Sequence, residues 1–174
     1  MKKTIYLARH AKSAWDTDAS TDFDRPLSHR GERNAKLMAN TLKKRGWIPD
    51  RIISSPSMRT QQTCQFYCDG FGFSDEEIKD KVVWNKDVYA AYMVTLLQCI
   101  TSLPESLGSV MLIGHNPSME DLLDHLCGDT SAYKQNNGKL FTTGNVAKLT
   151  IDILWKDIVM SEVTLDEILR PKEL

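Results

Sequence analysis

The sequence has no segment suited to a membrane or to export. No apolar run in the 174 residues approaches the roughly 20 that a membrane-spanning helix needs. The short apolar run after Lys2-Lys3 ends at Arg9-His10, which is too early for the core of a signal peptide. The formal net charge of −1 also argues against a general nucleic-acid binder. We therefore expect a cytoplasmic protein that has neither a membrane nor a nucleic acid as its partner.

Motifs for metal and nucleotide chemistry are also missing. The 4 cysteines form no C-x-x-C pair, no Cys/His cluster has zinc spacing, and H-E-x-x-H does not occur. Neither G-x-x-x-x-G-K-[ST] nor G-x-G-x-x-G is found, and no serine sits in a nucleophile elbow. The sequence therefore predicts no metal and no cofactor. Cys64 and Cys68 are expected to be buried thiols on one helix face, as suits a reducing compartment.

An alternation of strands and helices is present instead. Apolar runs predict strands at Thr4–Ala8, Arg51–Ser54, Val82–Trp84, Val110–Gly114 and Ala147–Ile153, and a last antiparallel strand at Asp157–Val163. Helical periodicity predicts helices at Arg30–Arg45, Pro56–Cys68, Tyr89–Ile100 and Pro117–Cys127. This order and length predict one domain over residues 1–174, an α/β protein built as a three-layer α/β/α sandwich around a mainly parallel sheet.

Three of the predicted strands are followed by residues that can bind or attack an anion. Each of these three strands ends in such a segment. The segments are Arg9-His10 at the end of Thr4–Ala8, Ser54–Arg59 at the end of Arg51–Ser54, and Gly114–Pro117 at the end of Val110–Gly114. The carboxyl ends of parallel strands lie at the same edge of a sheet, where ligands bind. A histidine there can act as nucleophile or base, and an arginine can hold an anion in a fork of donors.

Two predicted helix starts at this edge also favour an anion. Ser55-Pro56 and Asn116-Pro117 each suggest an N-cap followed by a proline at the first helical position. The free N–H groups of such helix ends attract anions. Arg59 in the first turn opposes the helix dipole, unless a bound phosphate attracts both. Arg59 could instead be a solvated surface residue, but its place beside Arg9 favours a phosphate site.

These motifs together resemble the histidine phosphatase superfamily, which has the phosphoglycerate-mutase-like fold. Arg9–Ser13 resembles the N-terminal R-H-G/A signature, Ser54–Thr63 the S-S-x-x-x-R-x-x-x-T segment, and Gly114–Asn116 the second histidine. Within the superfamily the chain is most similar to the small SixA-type phosphohistidine phosphatases. Arg25–Gly31 resembles their R-P-L-[ST]-x-x-G segment and Phe141–Gly144 their F-T-T-[SG] element.

The resemblance implies a role for each of these residues. His10 would be the catalytic nucleophile that becomes phosphorylated, with Arg9, Arg59 and His115 as catalytic residues around the phosphoryl group. Arg25 would bind substrate from its loop. The implied enzyme is a metal-independent phosphatase that acts on phosphohistidine in proteins. Phosphoryl transfer needs mainly positioning and positive charge, which these side chains can supply.

Other readings stay open at this point. The chain could hydrolyse small phosphoesters or phosphopeptides, or it could be a silent module that binds a phosphorylated ligand. A mutase is disfavoured because so short a chain shows no acid and no cap insertion. The loops Thr17–Ser28 and Tyr133–Thr143 are expected to set specificity, but the sequence identifies neither the substrate nor the oligomeric state.

The chain departs from larger superfamily members at two positions. They use a carboxylic acid to protonate the leaving oxygen, for which Asp87 is the candidate here. Without such an acid, phosphoramidates are favoured because histidine is a better leaving group than an alkoxide. Asp16 replaces an asparagine near the phosphate and would repel an anion unless paired. We expect structural roles for His29 and His125, and either packing or a pocket wall for Trp15.

Overall fold

The fold is organised around one mixed sheet. Within residues 2–158 and 163–174, which a computed structural model describes, six strands pair in the order β3-β2-β4-β1-β5-β6. They are β1 (Lys3–Arg9), β2 (Arg51–Ser54), β3 (Val82–Trp84), β4 (Ser109–Gly114), β5 (Val146–Ile151) and β6 (Val163–Leu169). Strands β3, β2, β4 and β1 are mutually parallel, whereas β5 is antiparallel to β1 and β6. The expected mainly parallel sheet is confirmed.

Helices cover both faces of this sheet. The helices of the described residues are α1 (His29–Lys44), α2 (Met58–Phe71), α3 (Asp75–Lys81), α4 (Met93–Thr101) and α5 (Ser118–Cys127). Helices α1 and α2 contribute to the core on one face, and α4 and α5 to the core on the other. The α/β/α sandwich is therefore confirmed. In the same part of the chain, no helix is long and apolar enough to cross a membrane.

The central strands have uninterrupted apolar sequences because both of their faces are buried. In β1, Ile5 and Leu7 join the core under α4 and α5, while Tyr6 and Ala8 join the core under α1 and α2. Continuous apolar runs are typical of parallel strands covered on both sides. This apolar pattern is the feature of the sequence that predicts the strands, and the polar residues that follow each strand lie at the edge of the sheet.

The helices at the carboxyl edge begin later than predicted. Helix α2 begins at Met58 with Ser57 as its N-cap, and α5 begins at Ser118 with Pro117 as its N-cap. The predicted caps are used elsewhere: the Ser55 hydroxyl bonds a histidine at 2.9 Å, and the Asn116 amide donates to a backbone carbonyl at 2.9 Å. The Ser55 hydroxyl keeps one local bond, from the N–H of Ser57 at 3.4 Å, but it is not the N-cap of the helix.

The predicted helix Tyr89–Ile100 is also shorter in the structure. It begins at Met93, after a 3-10 turn at Lys86–Val88 and a residue with positive φ, Ala90. Tyr89 is held outside the helix because its ring packs edge-on against Phe23, with centroids 4.9 Å apart.

Two further differences lie outside the site. Helix α3 was not predicted, although Ser74 and Glu77 form a capping box, a recognised helix-start signal. The last strand is Val163–Leu169 and not Asp157–Val163: Asp157 ends a 3-10 turn, and residues 159–162 lie outside the described part of the chain. Its antiparallel pairing with β5 agrees with the prediction. Cys64 and Cys68 are buried, as expected.

Helices α1 and α2 pack so closely at Gly70 that an added methyl group would collide with the neighbouring helix. A Cβ added at Gly70 would lie 2.5 Å from Cβ of Ala39. We expect Gly70→Ala to lower the free energy of unfolding by about 1–3 kcal/mol, despite the higher helix propensity of alanine. Urea denaturation measures this loss. Ala39→Gly in the same chain should restore part of it; a purely additive double variant would contradict the predicted contact.

Candidate active site

The ends of β1 and β4 bring two histidines together. The backbone N–H of His10 donates to the carbonyl of Gly114 at 3.1 Å, which continues the pairing of the two strands. The rings of His10 and His115 consequently lie with their centroids 5.1 Å apart. Each residue is only 7% exposed. The structure therefore places both predicted histidines in one buried site at the carboxyl edge of the sheet.

Arg59 enters the same site from the first turn of α2. Its Nη2 donates to Nδ1 of His115 at 3.3 Å and to Oδ2 of Asp22 at 2.9 Å. Arg59 is 6% exposed, so it is not a solvated surface residue. One helical turn later, the Thr63 hydroxyl donates to the carbonyl of Arg59 at 2.7 Å and accepts from the N–H of Ala11 at 3.1 Å. The helix that carries Arg59 is thus tied to the chain that follows the first histidine.

Ser55, at the end of β2, orients the second histidine. Its Oγ lies 2.9 Å from Nε2 of His115. Because a guanidinium only donates, Nδ1 of His115 accepts from Arg59. The proton of the neutral ring is then on Nε2, which donates to Ser55.

Arg9 is held by the F-T-T-G element. Its Nη1 donates to the carbonyl of Phe141 at 2.9 Å, and the same carbonyl accepts from the side-chain amide of Asn116 at 2.9 Å. The N–H of Gly144 donates to the carbonyl of His10 at 3.0 Å. This short segment therefore braces both β1 and the start of α5 from one side.

One hydrogen bond determines which nitrogen of His10 is free. Nδ1 of His10 lies 2.7 Å from the carbonyl oxygen of Ala11. Since a carbonyl only accepts, Nδ1 carries the proton of the neutral ring. Nε2 therefore keeps its lone pair, which is the requirement for a nucleophilic imidazole.

Burial and positive charge keep both imidazoles neutral. Burial lowers the pKa of His10 to about 3; the hydrogen bond to the Ala11 carbonyl raises the pKa, whereas the charges at His115, Arg59 and Arg9 lower it further. Burial and the charge of Arg59 lower the pKa of His115 to about 4. Both shifts have the sign expected for a buried cation among other cations. At neutral pH the site therefore contains two uncharged histidines beside arginine side chains.

Asp22 is a site residue that the sequence analysis missed. Its Oδ1 accepts from Arg25 at 2.8 Å, and its Oδ2 accepts from Arg59 at 2.9 Å and from the Tyr89 hydroxyl at 3.1 Å. Burial opposes ionisation, but hydrogen bonds from Arg25 and Arg59 and the charge of Arg59 lower the pKa of Asp22. Nothing in the sequence distinguishes this carboxylate from Asp24, its neighbour in the same loop.

In the part of the chain that the structure describes, Arg25 is linked to the site through Asp22. It also donates to Oγ of Ser13 at 3.0 Å, and its guanidinium lies 3.7 Å from the ring centroid of Trp15. Among the residues that the structure describes, no contact joins Arg25 to either site histidine. Trp15 is 77% exposed and covers Arg25, which is a packing role at the rim.

The R-P-L-S-x-x-G segment is placed by backbone pairing with the chain after His10. Ala14 N–H donates to the carbonyl of Pro26 at 2.9 Å, and Ser28 N–H donates to the carbonyl of Lys12 at 2.9 Å. A Cβ at Gly31 would lie 2.1 Å from that same Lys12 oxygen, so the position admits only glycine without a shift of the backbone. The motif thus sets the path of the loop that carries Asp22.

The remaining candidates lie away from these contacts. Asp87 is exposed in its 3-10 turn, and Asp16 is exposed in its loop. His29 is exposed at the start of α1, and His125 lies in the last turn of α5. Within residues 2–158 and 163–174, none of the four contacts a site histidine. In the same part of the chain, no three His, Cys, Asp or Glu residues are grouped to hold a metal ion.

An α/β sandwich with neutral histidines among arginines at the carboxyl ends of its strands has the layout of a phosphoryl-transfer enzyme. The profile of the histidine phosphatase superfamily (branch 1) matches residues 5–81. The phosphohistidine phosphatase SixA of Escherichia coli is 31% identical over 150 residues, which cover 85% of each chain.

Solved structures agree with this match. The structure assigned as a SixA phosphohistidine phosphatase from Agrobacterium tumefaciens is 31% identical, with a TM-score of 0.81 over 97% of this chain and 98% of that one. The protein histidine phosphatase SixA in complex with tungstate is 25% identical, with a TM-score of 0.79 over 98% of each chain. The chain belongs to the histidine phosphatase superfamily, and it is a phosphatase.

The two buried histidines couple folding to pH. In the unfolded chain an imidazole has a pKa near 6.5, whereas the folded protein lowers the pKa of His10 to about 3 and that of His115 to about 4. The unfolded state therefore takes up protons first as the pH falls, so stability present above pH 6.5 is lost toward those lower values. Between pH 7 and pH 5, each histidine should lower the free energy of unfolding by about 2 kcal/mol.

The variant His10→Asn isolates one of these contributions, because an asparagine amide can still donate to the Ala11 carbonyl. We expect its free energy of unfolding to fall by about 2 kcal/mol less than that of the wild type between pH 7 and pH 5. Urea denaturation at both pH values measures the difference. Equal falls in the two proteins would mean that the His10 ring is not held neutral by the fold.

Proposed function

We propose that this phosphatase hydrolyses phosphohistidine in proteins through a covalent phosphohistidine intermediate at His10. The observation that carries the proposal is the 2.7 Å contact between Nδ1 of His10 and the Ala11 carbonyl, which leaves the lone pair on Nε2. The pKa of about 3 keeps that lone pair available at physiological pH. An imidazole that is fixed in position and unprotonated is the form that attacks phosphorus.

The first step moves the phosphoryl group onto the enzyme. The lone pair of Nε2 of His10 attacks phosphorus, and the bond from phosphorus to the leaving nitrogen breaks with its electron pair on the leaving group. The leaving ring departs as a neutral imidazole because its other nitrogen carries a proton. Arg9, Arg59 and His115 surround the phosphoryl oxygens, and the two arginines offset the charge of these oxygens without a metal ion. Arg25 binds the substrate from its loop, where it also donates a hydrogen bond to Asp22. Positive charge held in a buried site is effective because little water screens it.

The second step releases phosphate. Water attacks the phosphorus of the phosphoenzyme, the bond from phosphorus to Nε2 breaks, and its electron pair returns to His10. The proton lost by water goes to the phosphate that leaves or to solvent. Splitting the hydrolysis in two lets the same cationic surroundings serve both transfers.

The carboxylates favour a nitrogen leaving group over an alkoxide. Protonation of a departing alkoxide needs an acid at the site, but hydrogen bonds from Arg25 and Arg59 lower the pKa of Asp22 against its partial burial. Asp87 is exposed and makes no contact with the site within the described residues. A histidine leaving group is a much weaker base than an alkoxide and needs less help.

The relatives support the same substrate class. Two similar proteins carry the name phosphohistidine phosphatase, and another binds tungstate, a tetrahedral oxyanion like phosphate. SixA-like phosphatases act on phosphorylated substrates. We further propose that the protein works in the cytoplasm as one domain of residues 1–174.

The test compares two substrates with and without a chelator. We expect the wild type to hydrolyse a phosphohistidine-bearing domain faster than an aryl phosphate, with no change on addition of EDTA. His10→Ala should lower kcat/KM at least about 10³-fold, because the nucleophile is lost. Rapid acid-free quenching and mass spectrometry should find one phosphoryl group on His10 of the wild type.

His29→Ala is the matched control, because it removes an exposed histidine that pairs with Glu32 on the surface of its own helix. Undiminished turnover by His10→Ala would refute the nucleophile. Aryl phosphate hydrolysis without phosphohistidine hydrolysis would favour the small-phosphoester alternative. Phosphate binding without any turnover would favour the silent module.

A second test concerns the carboxylate that faces the arginines. Asp22 takes hydrogen bonds from Arg59 that a phosphate could otherwise use, and its charge repels an anion. We expect Asp22→Asn to tighten inhibition by orthophosphate about two- to fivefold, the range expected for one partly exposed charge pair. Inhibition constants for aryl phosphate hydrolysis measure this, with Asp24→Asn as the control in the same loop. Weaker inhibition would mean that Asp22 serves mainly to position Arg59.

A further inference from the structure

A cleft of about 470 Å³ opens beside the proposed phosphate site and is strongly basic. Its basic side chains are Arg9, Lys12, Arg30, Lys139, Arg170 and Lys172. Glu120 is the single carboxylate among its described lining residues. The whole chain has a formal net charge of −1, so this concentration of positive charge is local.

Most of these charges have no carboxylate partner. Arg170 pairs with Glu173 at 3.5 Å. In the part of the chain that the structure describes, no carboxylate oxygen lies within 4.0 Å of the charged groups of Lys12, Arg30, Lys139 or Lys172. Like charges gathered without counter-charges repel one another, and an anion that enters the cleft relieves this repulsion.

The cleft is continuous with the residues that frame the nucleophile. Arg9, Asn116 and Phe141 line it, and these residues share the hydrogen bonds at the Phe141 carbonyl. The charge of Arg9 also lowers the pKa of both His10 and His115, so its guanidinium acts on the site and on the cleft. A substrate whose phosphoryl group lies at His10 can therefore extend into the cleft.

A second opening, which shares Asn116 with the basic cleft, differs in charge. It has a volume of about 360 Å³ and is lined by His115 and the segment 90–93, with Asp121 as the charged residue among its described lining residues. No lysine or arginine is among its described lining residues. Because the basic cleft has six Lys and Arg residues and the second opening has none in the described part of its lining, negative charge on the substrate is better accommodated in the basic cleft.

We propose that the basic cleft binds a second anionic group of the substrate, a carboxylate or phosphate beyond the phosphoryl group that is transferred. This inference rests on the proposed function for the position of that phosphoryl group. The cleft volume matches that of small-ligand sites, which suits a short acidic segment or a second phosphate. Lys139 and Lys172 supply charge from separate segments of chain, one in the loop of residues 133–143 and one after β6.

The experiment compares ligands that differ only in the second anion. The first arm measures kcat/KM for two phosphohistidine peptides with either glutamate or glutamine on both sides of the phosphohistidine. The second arm measures the Kd of orthophosphate and tripolyphosphate by calorimetry. We expect the wild type to prefer the more anionic member of at least one pair about tenfold, with the preference falling as salt is added.

The double variant Lys139→Ala/Lys172→Ala should reduce this preference to about twofold, through KM or Kd and not through kcat. Lys44→Ala/Lys79→Ala removes the same charge from exposed helix positions outside the cleft and should keep the preference. Absence of any preference, or a preference unchanged in the first variant, would overturn the inference. If neither peptide is hydrolysed, the proposed function fails, and the calorimetric pair still decides whether the cleft binds a second anion.

Discussion

The hydrogen bond from Nδ1 of His10 to the Ala11 carbonyl is the contact on which the site depends. It selects the tautomer, aims the free lone pair away from the backbone and fixes the ring next to its own strand. The partner carbonyl is itself held, because Ala11 N–H donates to Thr63 and Thr63 donates to the carbonyl of Arg59. One connected set of hydrogen bonds thus fixes both the orientation of the His10 ring and the position of Arg59.

Electrostatics then divides the site into a neutral and a charged part. Burial keeps the imidazoles uncharged, while Arg9 and Arg59 stay cationic and lower the pKa of both rings further. Asp22 offsets part of this positive charge and raises the pKa of His115. An incoming phosphate dianion favours the protonated form of a nearby imidazole, which at His115 would add positive charge around the phosphoryl group. The proposed nucleophile has to stay neutral in the occupied site, and the pKa of His10, about 3, leaves a wide margin for this at neutral pH.

The parts of this arrangement that follow from the sequence are those encoded by buried strands. His10 and His115 could be predicted to meet because each follows a continuous apolar run, and parallel strands end at one edge. Arg59 could be predicted because it conflicts with the helix dipole. Asp22 could not, since its position depends on how a polar loop folds back over the edge. The prediction of Ser55 as a helix N-cap is wrong for a related reason. Its hydroxyl accepts a hydrogen bond from His115, a residue distant in the sequence, and the helix begins after Ser57.

The motif segments outside the strands act on the site through backbone atoms. Their backbone therefore holds the site residues in place, while their side chains are free to contact the substrate. The buried carbonyl of Phe141 holds Arg9, whereas Lys139, two residues earlier, directs an exposed side chain into the basic cleft. A substitution at Lys139 can change the charge of the cleft without moving that carbonyl, because the lysine takes no part in its hydrogen bonds. The same segment can therefore keep the proposed phosphate site constant while its side chains change the charge of the cleft.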